Sequence, residues 1–465
     1  MSLEFDSKIH KTLADARLQQ AIYTATGRFK DARLKVVAQD VLPEYQELRA
    51  QANALKKHTI DHLDHYLEQF QSQVEAHGGK VVFCQDAAAV ADFVLTLAKE
   101  RGARLIVKSK SMTTEEIDLN ERLEHHGLEA VETDFGEYIL QLARERPYHI
   151  VAPALHKTRY DVAEIFEQRL HIANETVIEK QAAIARAALR EKFLAADIGI
   201  SGANFLVADS GAVVIVENEG NARLATSAPR THIAIAGIEK LIPRAQDLAT
   251  FLKLLARSAT GQPLSVYTSF LSGPRREGEI DGPDEFYVVL LDNGRTRLLE
   301  NPARRQSLYC IRCGACLNAC PVYRKIGGHS FPWVYSGPIG AILTPQFMGA
   351  AHEPGLPFAS SLCGACAEVC PVKIDIPKVL LELRADAPHN RWESLAFRVF
   401  AWLMRHPRAY ELAGRVAASL VSSEGVRWIR SAPGLLNFGP IRAWLAERDL
   451  PPPPAHTFRE LWRRR

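Results

Sequence analysis

Long apolar stretches are missing from this 465-residue sequence, and its charges nearly cancel. Lys and Arg number 57 against 54 Asp and Glu, a formal net charge of +3 that by itself points to no nucleic-acid partner. No run approaches the ~20 apolar residues of a membrane span. The polar, acidic residues 1–6 lack the basic and apolar regions of a secretory signal. We therefore predict a cytoplasmic protein without a transmembrane segment, and we expect no nucleic-acid partner.

Nucleotide-binding motifs are also lacking, and cysteine is scarce outside one region. Neither G-x-G-x-x-G nor a P-loop stands at a strand–helix junction, so nicotinamide, flavin and ATP have no motif support. Seven of the eight Cys fall within 61 residues. In a large chain without a signal, such clustering indicates a metal site and not disulfides. The remaining Cys84 lies in an apolar run and is expected to be a buried core thiol.

Two cysteine-rich runs share one spacing. Residues 310–321 fit C-x2-C-x2-C-x3-C-P, and residues 360–371 repeat that pattern with Ser360 at the first position. Three thiolates two residues apart can reach three corners of one cubane cluster, whereas the fourth thiolate ligates the other cluster. Structural zinc usually takes two C-x2-C turns. The spacing therefore favours iron–sulfur clusters over a zinc-stabilised binding module.

This crossed arrangement distributes seven ligands between two clusters, which we expect to be of the [4Fe–4S] type. The first cluster is assigned Cys310, Cys313, Cys316 and Cys370. The second cluster is assigned Cys320, Cys363 and Cys366. Because Ser360 replaces a thiolate, the second site could instead hold [3Fe–4S]. Otherwise the last iron of a [4Fe–4S] cluster is ligated by Ser360, another side chain or water.

The rest of the chain divides around this module. Residues 1–77 are predicted to be helical, and residues 78–293 show the strand–helix alternation of a mostly parallel α/β sheet. Residues 294–390 form the ferredoxin-type module, which is expected to be mostly helical, and residues 391–465 form a helical tail. We predict strands at residues 80–84, 104–108, 129–133, 149–152, 203–208, 212–216, 231–236 and 287–291.

The tail differs from the body in charge and aromatic content. It carries thirteen Arg, no Lys and six acidic residues. It also holds five of the six Trp, namely Trp392, Trp402, Trp428, Trp444 and Trp462. Apolar residues at helical spacing over residues 392–403 predict an amphipathic helix. Its apolar face could pack on the same chain, dock a partner subunit or contact an anionic membrane surface, and the sequence leaves all three open.

These features resemble the lactate utilization protein B family, the iron–sulfur component of a three-protein bacterial system that oxidises L-lactate to pyruvate. The resemblance rests on the seven-Cys module and on residues 108–116, 132–138, 153–157 and 217–223. It implies an α/β lactate-utilization domain related to sugar-phosphate isomerases and CoA transferases, and it makes Ser360 a family-like feature. It also implies electron transport alongside two partner proteins, a Cys-rich redox subunit and a second lactate-utilization-domain protein.

A competing hypothesis places a catalytic site in the α/β domain itself. Lys108 and Lys110 lie at the carboxyl end of a predicted strand and just before a helix, a position where open α/β sheets bind anions. Arg223 and Thr226 supply a second loop. The domain would then bind and oxidise a hydroxy acid alone, whereas the resemblance implies an electron-transfer subunit without stand-alone activity. Whether the chain is itself an enzyme is open at this stage.

Overall fold

The structure, a computed structural model, describes residues 3–349, 351–387, 391–421, 442, 445, 446, 448 and 458–464. The chain divides into two compact units, residues 1–387 and residues 388–465. In the first unit, apolar side chains from all three predicted segments share one core, for example Phe70, Val288 and Leu317. The internal boundaries at residues 77 and 293 stay predictions.

The first unit begins with the predicted helices. These are α1 (Leu3–Ala14), α2 (Ala16–Val36), α3 (Tyr45–Asp61) and α4 (Leu63–Ala76). Asp15 starts α2 because its side chain accepts a hydrogen bond from the Leu18 backbone N–H at 2.9 Å. Helices α3 and α4 are separated at His62, whose φ of −127° departs from helical geometry.

Six parallel strands form the central sheet, as the strand–helix alternation predicts. They are β1 (Lys80–Cys84), β2 (Leu105–Lys108), β3 (Glu129–Glu132), β4 (Ile198–Ser201), β7 (Thr231–Gly237) and β10 (Glu285–Leu291). Their spatial order is β1-β10-β7-β4-β2-β3. The inner strands β2, β4 and β7 are buried along their whole length, which explains their near-continuous apolar sequence.

The strands of this segment are connected or followed by helices. They are α5 (Ala87–Arg101), α6 (Met112–Glu116), α7 (Leu119–His125), α8 (Phe135–Ala143), α9 (Arg159–Leu170), α10 (Ile178–Ala195), α11 (Asn221–Ser227), α12 (Leu248–Ala259) and α13 (Arg295–Leu299). Apolar residues of α5 and α7 pack with strand residues such as Ile106 and Val289. Those of α8, α9 and α10 pack with Val107 and Val131 instead.

A second sheet replaces part of the single sheet that the sequence predicts. Its strands are β5 (Phe205–Val207), β6 (Ala212–Glu217), β8 (Leu241–Ile242) and β9 (Tyr267–Leu271), in the order β8-β5-β6-β9. Strands β5 and β6 form an antiparallel hairpin. Because β5 and β6 pair with each other, they are not part of the parallel sheet, which β7 and β10 do join. Strands β8 and β9 were not predicted from the sequence.

The strand predicted over residues 149–152 is wrong. These residues form bends in a loop between α8 and α9. The backbone N–H groups of Val151 and Ala152 donate to His149 Nδ1 at 3.1 and 3.2 Å, and so they are not available to a neighbouring strand. A short apolar run without a partner strand therefore misled the sequence prediction.

The cysteine-rich region and the tail are mostly helical, as expected. The former contains α14 (Ala315–Ala319), α15 (Tyr323–Ile326), α16 (Gly337–Met348), α17 (Ala365–Val369) and α18 (Ile376–Asp386). The second unit contains α19 (Arg391–Arg405), which covers the predicted amphipathic helix, α20 (Pro407–Val421) and α21 (Phe458–Arg463). Trp428 and Trp444 lie outside the described residues. None of the described helices combines the length and apolar composition needed to span a bilayer.

A fully buried charge network joins the α/β sheet to the cysteine-rich region. Arg295 donates two hydrogen bonds to the Glu116 carboxylate, at 2.9 and 2.8 Å, and a third to Glu239. Arg312, from the cysteine-rich region, donates to the other Glu239 oxygen at 3.1 Å. Tyr335 donates to Glu116 at 2.6 Å. We name this set of five residues the buried network.

Arg295→Met tests the buried network. The change leaves the carboxylates of Glu116 and Glu239 buried with fewer partners, so we expect a loss of about 3–5 kcal/mol in the free energy of unfolding. Urea unfolding under argon, followed by circular dichroism, measures it. The control is Arg101→Met, which removes the partner of Glu285 at the protein surface and should shift the midpoint little. Equal midpoints for the two variants would contradict the structural role of Arg295.

Candidate metal centre

The first cysteine run forms a tight loop that ends in α14. Arg312 has a φ of 60° and Gly314 a φ of 72°, so the chain turns twice in the left-handed region. The Arg312 backbone N–H donates to Cys310 Sγ at 3.4 Å. A Cβ at position 314 would lie 3.1 Å from Val151 Cγ2, which favours glycine at this close approach. The loop thereby directs its sulfur atoms to one side.

The second run repeats this loop in three dimensions as well as in sequence. Leu362 has a φ of 54° and Gly364 a φ of 82°, at the positions equivalent to Arg312 and Gly314. The Leu362 backbone N–H donates to Ser360 Oγ at 3.2 Å. The hydroxyl of Ser360 therefore takes the place that the sulfur of Cys310 has in the first loop. Helices α14 and α17, which follow the two loops, pack against each other.

The thiols fall into two groups. One cavity, closed by apolar residues such as Ile150 and Ile339, is lined by Cys310, Cys313, Cys316 and Cys370. The thiol of Cys320 interacts electrostatically with Cys363 and Cys366, and the two groups adjoin, since Cys316 also interacts with Cys366. All eight cysteines lie in the described part of the chain and are free thiols. The fourth thiol of each run thus lies with the thiols of the other run.

The chemistry of these groups suits a sulfur-ligated metal. Burial raises the pKa of Cys370 to about 11 and that of Cys366 to about 12, so a bound cation is needed to hold them as thiolates at neutral pH. Soft thiolates in this number and spacing fit iron–sulfur clusters. Cys363, in contrast, is exposed, and the Ala365 backbone N–H lowers its pKa.

The N-terminal helices hold the end of the second run in position. Arg49 in α3 donates to the carbonyl oxygens of Cys370 at 2.9 Å and Ala367 at 3.2 Å. Arg33 in α2 donates to that of Val369 at 3.4 Å. Both guanidinium groups also lie over the Tyr45 ring. The sequence gives no signal for this role, because the helix and its partner carbonyls are more than 300 residues apart.

His149 connects the α/β domain to the first run. Its Nδ1 accepts from two backbone N–H groups, so Nε2 carries the proton and donates to Asn318 Oδ1 in α14 at 3.2 Å. Burial, with a smaller contribution from the charge of Lys110, lowers the pKa of His149 to about 3. The imidazole is therefore a neutral, fixed link between the two parts.

The structure does not bring the predicted cations of the α/β loops together. Lys108 is buried and forms ion pairs with Glu132 at 2.6 Å and Glu115 at 2.9 Å. Lys110 donates to the Val151 carbonyl oxygen.

The Arg223 guanidinium lies 5.3 Å from the centre of the Tyr267 ring. Lys108 and Arg223 are thus engaged elsewhere, and Thr226 is buried in α11, where it donates to the Arg223 carbonyl oxygen at 3.1 Å.

Three family models match successive parts of the chain. They are LUD domain at residues 67–291, 4Fe-4S dicluster domain at residues 306–374, and Lactate utilisation protein B, C-terminal at residues 375–465. The parallel sheet, the repeated loops and these matches define the class, an α/β LUD-domain protein with an iron–sulfur cluster-binding region.

Full-length relatives specify the family. Lactate utilization protein B of Oceanobacillus iheyensis is 40% identical over 100% of this chain and 96% of its own length. The proteins of that name from Shouchella clausii and Anoxybacillus flavithermus are each 41% identical over 99% of this chain, and 97% and 98% of their own lengths are covered. The chain belongs to the lactate utilization protein B family, as its motifs predicted. Its role is therefore an iron–sulfur role in lactate utilization.

Among solved structures, a DUF162 family protein from Deinococcus radiodurans aligns with 49% of this chain and 98% of its own. The sequence identity is 11% and the TM-score 0.28.

Ser360→Cys tests whether position 360 faces a cluster. We expect the introduced thiol to resist alkylation in the cluster-loaded protein, because a ligated sulfur is not free to react, and to react once iron is removed. Quantitative iodoacetamide labelling with mass spectrometry measures this. The control Ser361→Cys places a thiol at the exposed neighbouring position, where it should react in both states. An equally reactive thiol at position 360 would show that this position is not a ligand position.

Proposed function

We propose that this chain is an iron–sulfur electron-transfer subunit in the oxidation of L-lactate to pyruvate. It works with two other lactate-utilization proteins, a Cys-rich redox subunit and a second LUD-domain protein. The observation that carries the proposal is the division of seven thiols into two adjoining groups. The names of the relatives support the pathway.

Two clusters of the [4Fe–4S] type would be held by crossed ligation. Cys310, Cys313, Cys316 and Cys370 would hold the first, and the cavity they line supports this set. Cys320, Cys363 and Cys366 would hold the second. Ser360 Oγ, at the position equivalent to Cys310 Sγ, is the candidate for its fourth ligand. When bound, such clusters accept and release single electrons. The backbone N–H groups of Tyr323 and Ile374, which donate to Cys320 and Cys370 Sγ, would stabilise the thiolates.

The two sites differ in access to solvent. In the first site Cys313 and Cys370 are buried, and Cys310 and Cys316 are half-buried. In the second site Cys320 and Cys366 are buried, but Cys363 is exposed and Ser360 is half-buried. This difference supports an arrangement in which the second site exchanges electrons with a partner protein and the first lies on the protected side.

Catalysis is assigned to the partners and not to this chain alone. Oxidation of lactate removes two electrons from one carbon, which normally requires a two-electron acceptor. The sequence has no flavin or nicotinamide motif. The ion pairs of Lys108 and the stacking of Arg223 also weaken the hypothesis that these loops form a hydroxy-acid site.

The tail and the cellular location complete the proposal. We propose a cytoplasmic protein. In α19, Trp392, Phe397 and Phe400 remain exposed within the described residues, at 78%, 63% and 54%. An apolar helix face of this kind is compatible with partner docking and with peripheral membrane contact.

Cys320→Ala tests the crossed ligation. We expect loss of the cluster held by Cys363 and Cys366, and retention of the cluster held by the sequence neighbours of Cys320. Iron analysis and EPR of the reduced protein distinguish the two. Cys84→Ala, which removes a buried thiol of β1 outside the site, is the matched control and should keep both signals. Loss of the first cluster with the second intact would contradict the assignment.

Anaerobic mixing with L-lactate tests the function. We expect the oxidised, pure protein to keep its visible absorption when lactate is added. Addition of the two partner proteins should bleach it and produce pyruvate. Bleaching with stoichiometric pyruvate in the isolated protein would show that the α/β domain is itself catalytic. No bleaching in the complete mixture would contradict the electron-transfer role.

A further inference from the structure

A cavity lies at the carboxyl edge of the central sheet, beside the first cysteine run. Its walls include Ser109 and Lys110 after β2, Gly202 after β4 and Lys240 after β7. Arg312 and Cys313 of the first cysteine run close it on another side. Ligands of open parallel sheets bind at this edge, where the loops after the strands converge. The cavity therefore lies at a typical ligand position, and its wall includes Cys313, a proposed ligand of the first cluster.

Two buried cations of this cavity have incomplete partners. Lys240 and Arg312 are each only 8% exposed. Arg312 Nη2 pairs with Glu239 and its guanidinium also interacts with Cys310, whereas its buried Nη1 meets no hydrogen-bond criterion with a partner in the described part of the chain. Lys240 is attracted electrostatically by Glu239 and Cys310, but no ion pair or hydrogen bond of its ammonium group is found among the described residues. Buried, unpaired donors are costly, and an anion bound between them would supply the missing acceptors.

The carboxylates of the cavity wall are already engaged. Asp134 accepts from the backbone N–H groups of Gly136 and Glu137, at 3.0 and 3.1 Å. Glu217 accepts from those of Ala222 and Arg223 at 2.8 and 3.0 Å, and Glu219 from that of Phe135 at 3.2 Å. None of these acids forms an ion pair with Lys240 or Arg312 among the described residues. Their charges nevertheless offset those of Lys110, Lys240 and Arg312, so the wall has no large excess of positive charge to favour a dianion over a monoanion.

We propose that this cavity binds a small carboxylate monoanion, with Arg312 Nη1 and Lys240 Nζ as its donors. A carboxylate offers two oxygens, so it can accept from a guanidinium and an ammonium together. This ligand site uses Lys240 and Arg312, whereas the loop hypothesis from the sequence relied on Lys108 and Arg223. The proposal is independent of the electron-transfer function, because binding requires neither a partner protein nor turnover.

The experiment is anaerobic isothermal titration of the cluster-loaded, full-length protein. The probes are sodium acetate, L-lactate and pyruvate, with inorganic phosphate as a more highly charged anion. We expect at least one carboxylate to bind with one-to-one stoichiometry and phosphate to bind roughly tenfold more weakly or not at all. No carboxylate binding, or phosphate binding as tight as that of the carboxylates, would overturn the proposal.

Lys240→Met should weaken carboxylate binding by about tenfold or more, because it removes one of the two charged donors. The matched control is Lys253→Met in α12, which removes an exposed ammonium 3.5 Å from Glu44, outside the cavity wall. It should bind like the unchanged protein. Unchanged affinity in Lys240→Met, with iron content and circular dichroism also unchanged, would overturn the proposal.

A measurement on the unchanged protein covers the case in which Lys240→Met does not fold. The probe is the best-binding carboxylate labelled with ¹³C at the carboxyl carbon, added to the dithionite-reduced protein. Because Cys313 lines the same cavity, pulsed EPR should detect a ¹³C hyperfine coupling that excess unlabelled ligand removes. Absence of that coupling at saturating ligand would overturn the proposed position. Neither result alters the outcome of the test with lactate and partner proteins.

Discussion

The buried network of Glu116, Glu239, Arg295, Arg312 and Tyr335 is the constraint on which the rest of the structure depends. A buried ion pair is favourable only when nearly every charged atom has a partner, so each member fixes the others. Here the members come from α6, the segment after β7, α13 and the cysteine-rich region. If the first cysteine loop shifted relative to the sheet, the buried carboxylate of Glu239 would lose its hydrogen bond from Arg312. The positions of the cysteines are set by the α/β domain as much as by their own loop.

Hydrogen bonds from distant segments also fix the position of the residues around the thiols. Arg33 and Arg49 satisfy carbonyl oxygens at the end of the second run, and His149 holds Asn318 in the first. Small cluster-binding modules can fold around their metal alone, because metal binding contributes to folding. In this chain the module is additionally supported from two other segments, and apolar residues of all three contribute to one of the cores of residues 1–387. The surrounding protein, and not the loops alone, determines how much solvent each site meets.

The features that the sequence predicts well are local. The positions of β1, β7 and β10 follow from short apolar runs, and the thiol spacing is a property of a dozen neighbouring residues. Features that depend on distant partners were missed or misread. Residues 149–152 look like a strand but bond to His149, and Lys108 looks like a free loop cation but is neutralised by Glu132. Lys240 and Arg312 carry no motif, since only the fold brings β7 beside the cysteine loop.

The internal repeat produces two loops of the same shape with different surroundings. Arg312 and Leu362 share a left-handed φ, yet the first side chain is a buried cation of the network and the second is a half-buried apolar group. The first loop thus lies in an electrostatic environment set by fixed charges, and the second lies near solvent beside Ser360. Positive charge near an iron–sulfur cluster stabilises its reduced state, and solvent exposure is another determinant of its potential. One repeated backbone therefore places its two sets of thiols in unlike surroundings, one beside a buried charge network and one near solvent.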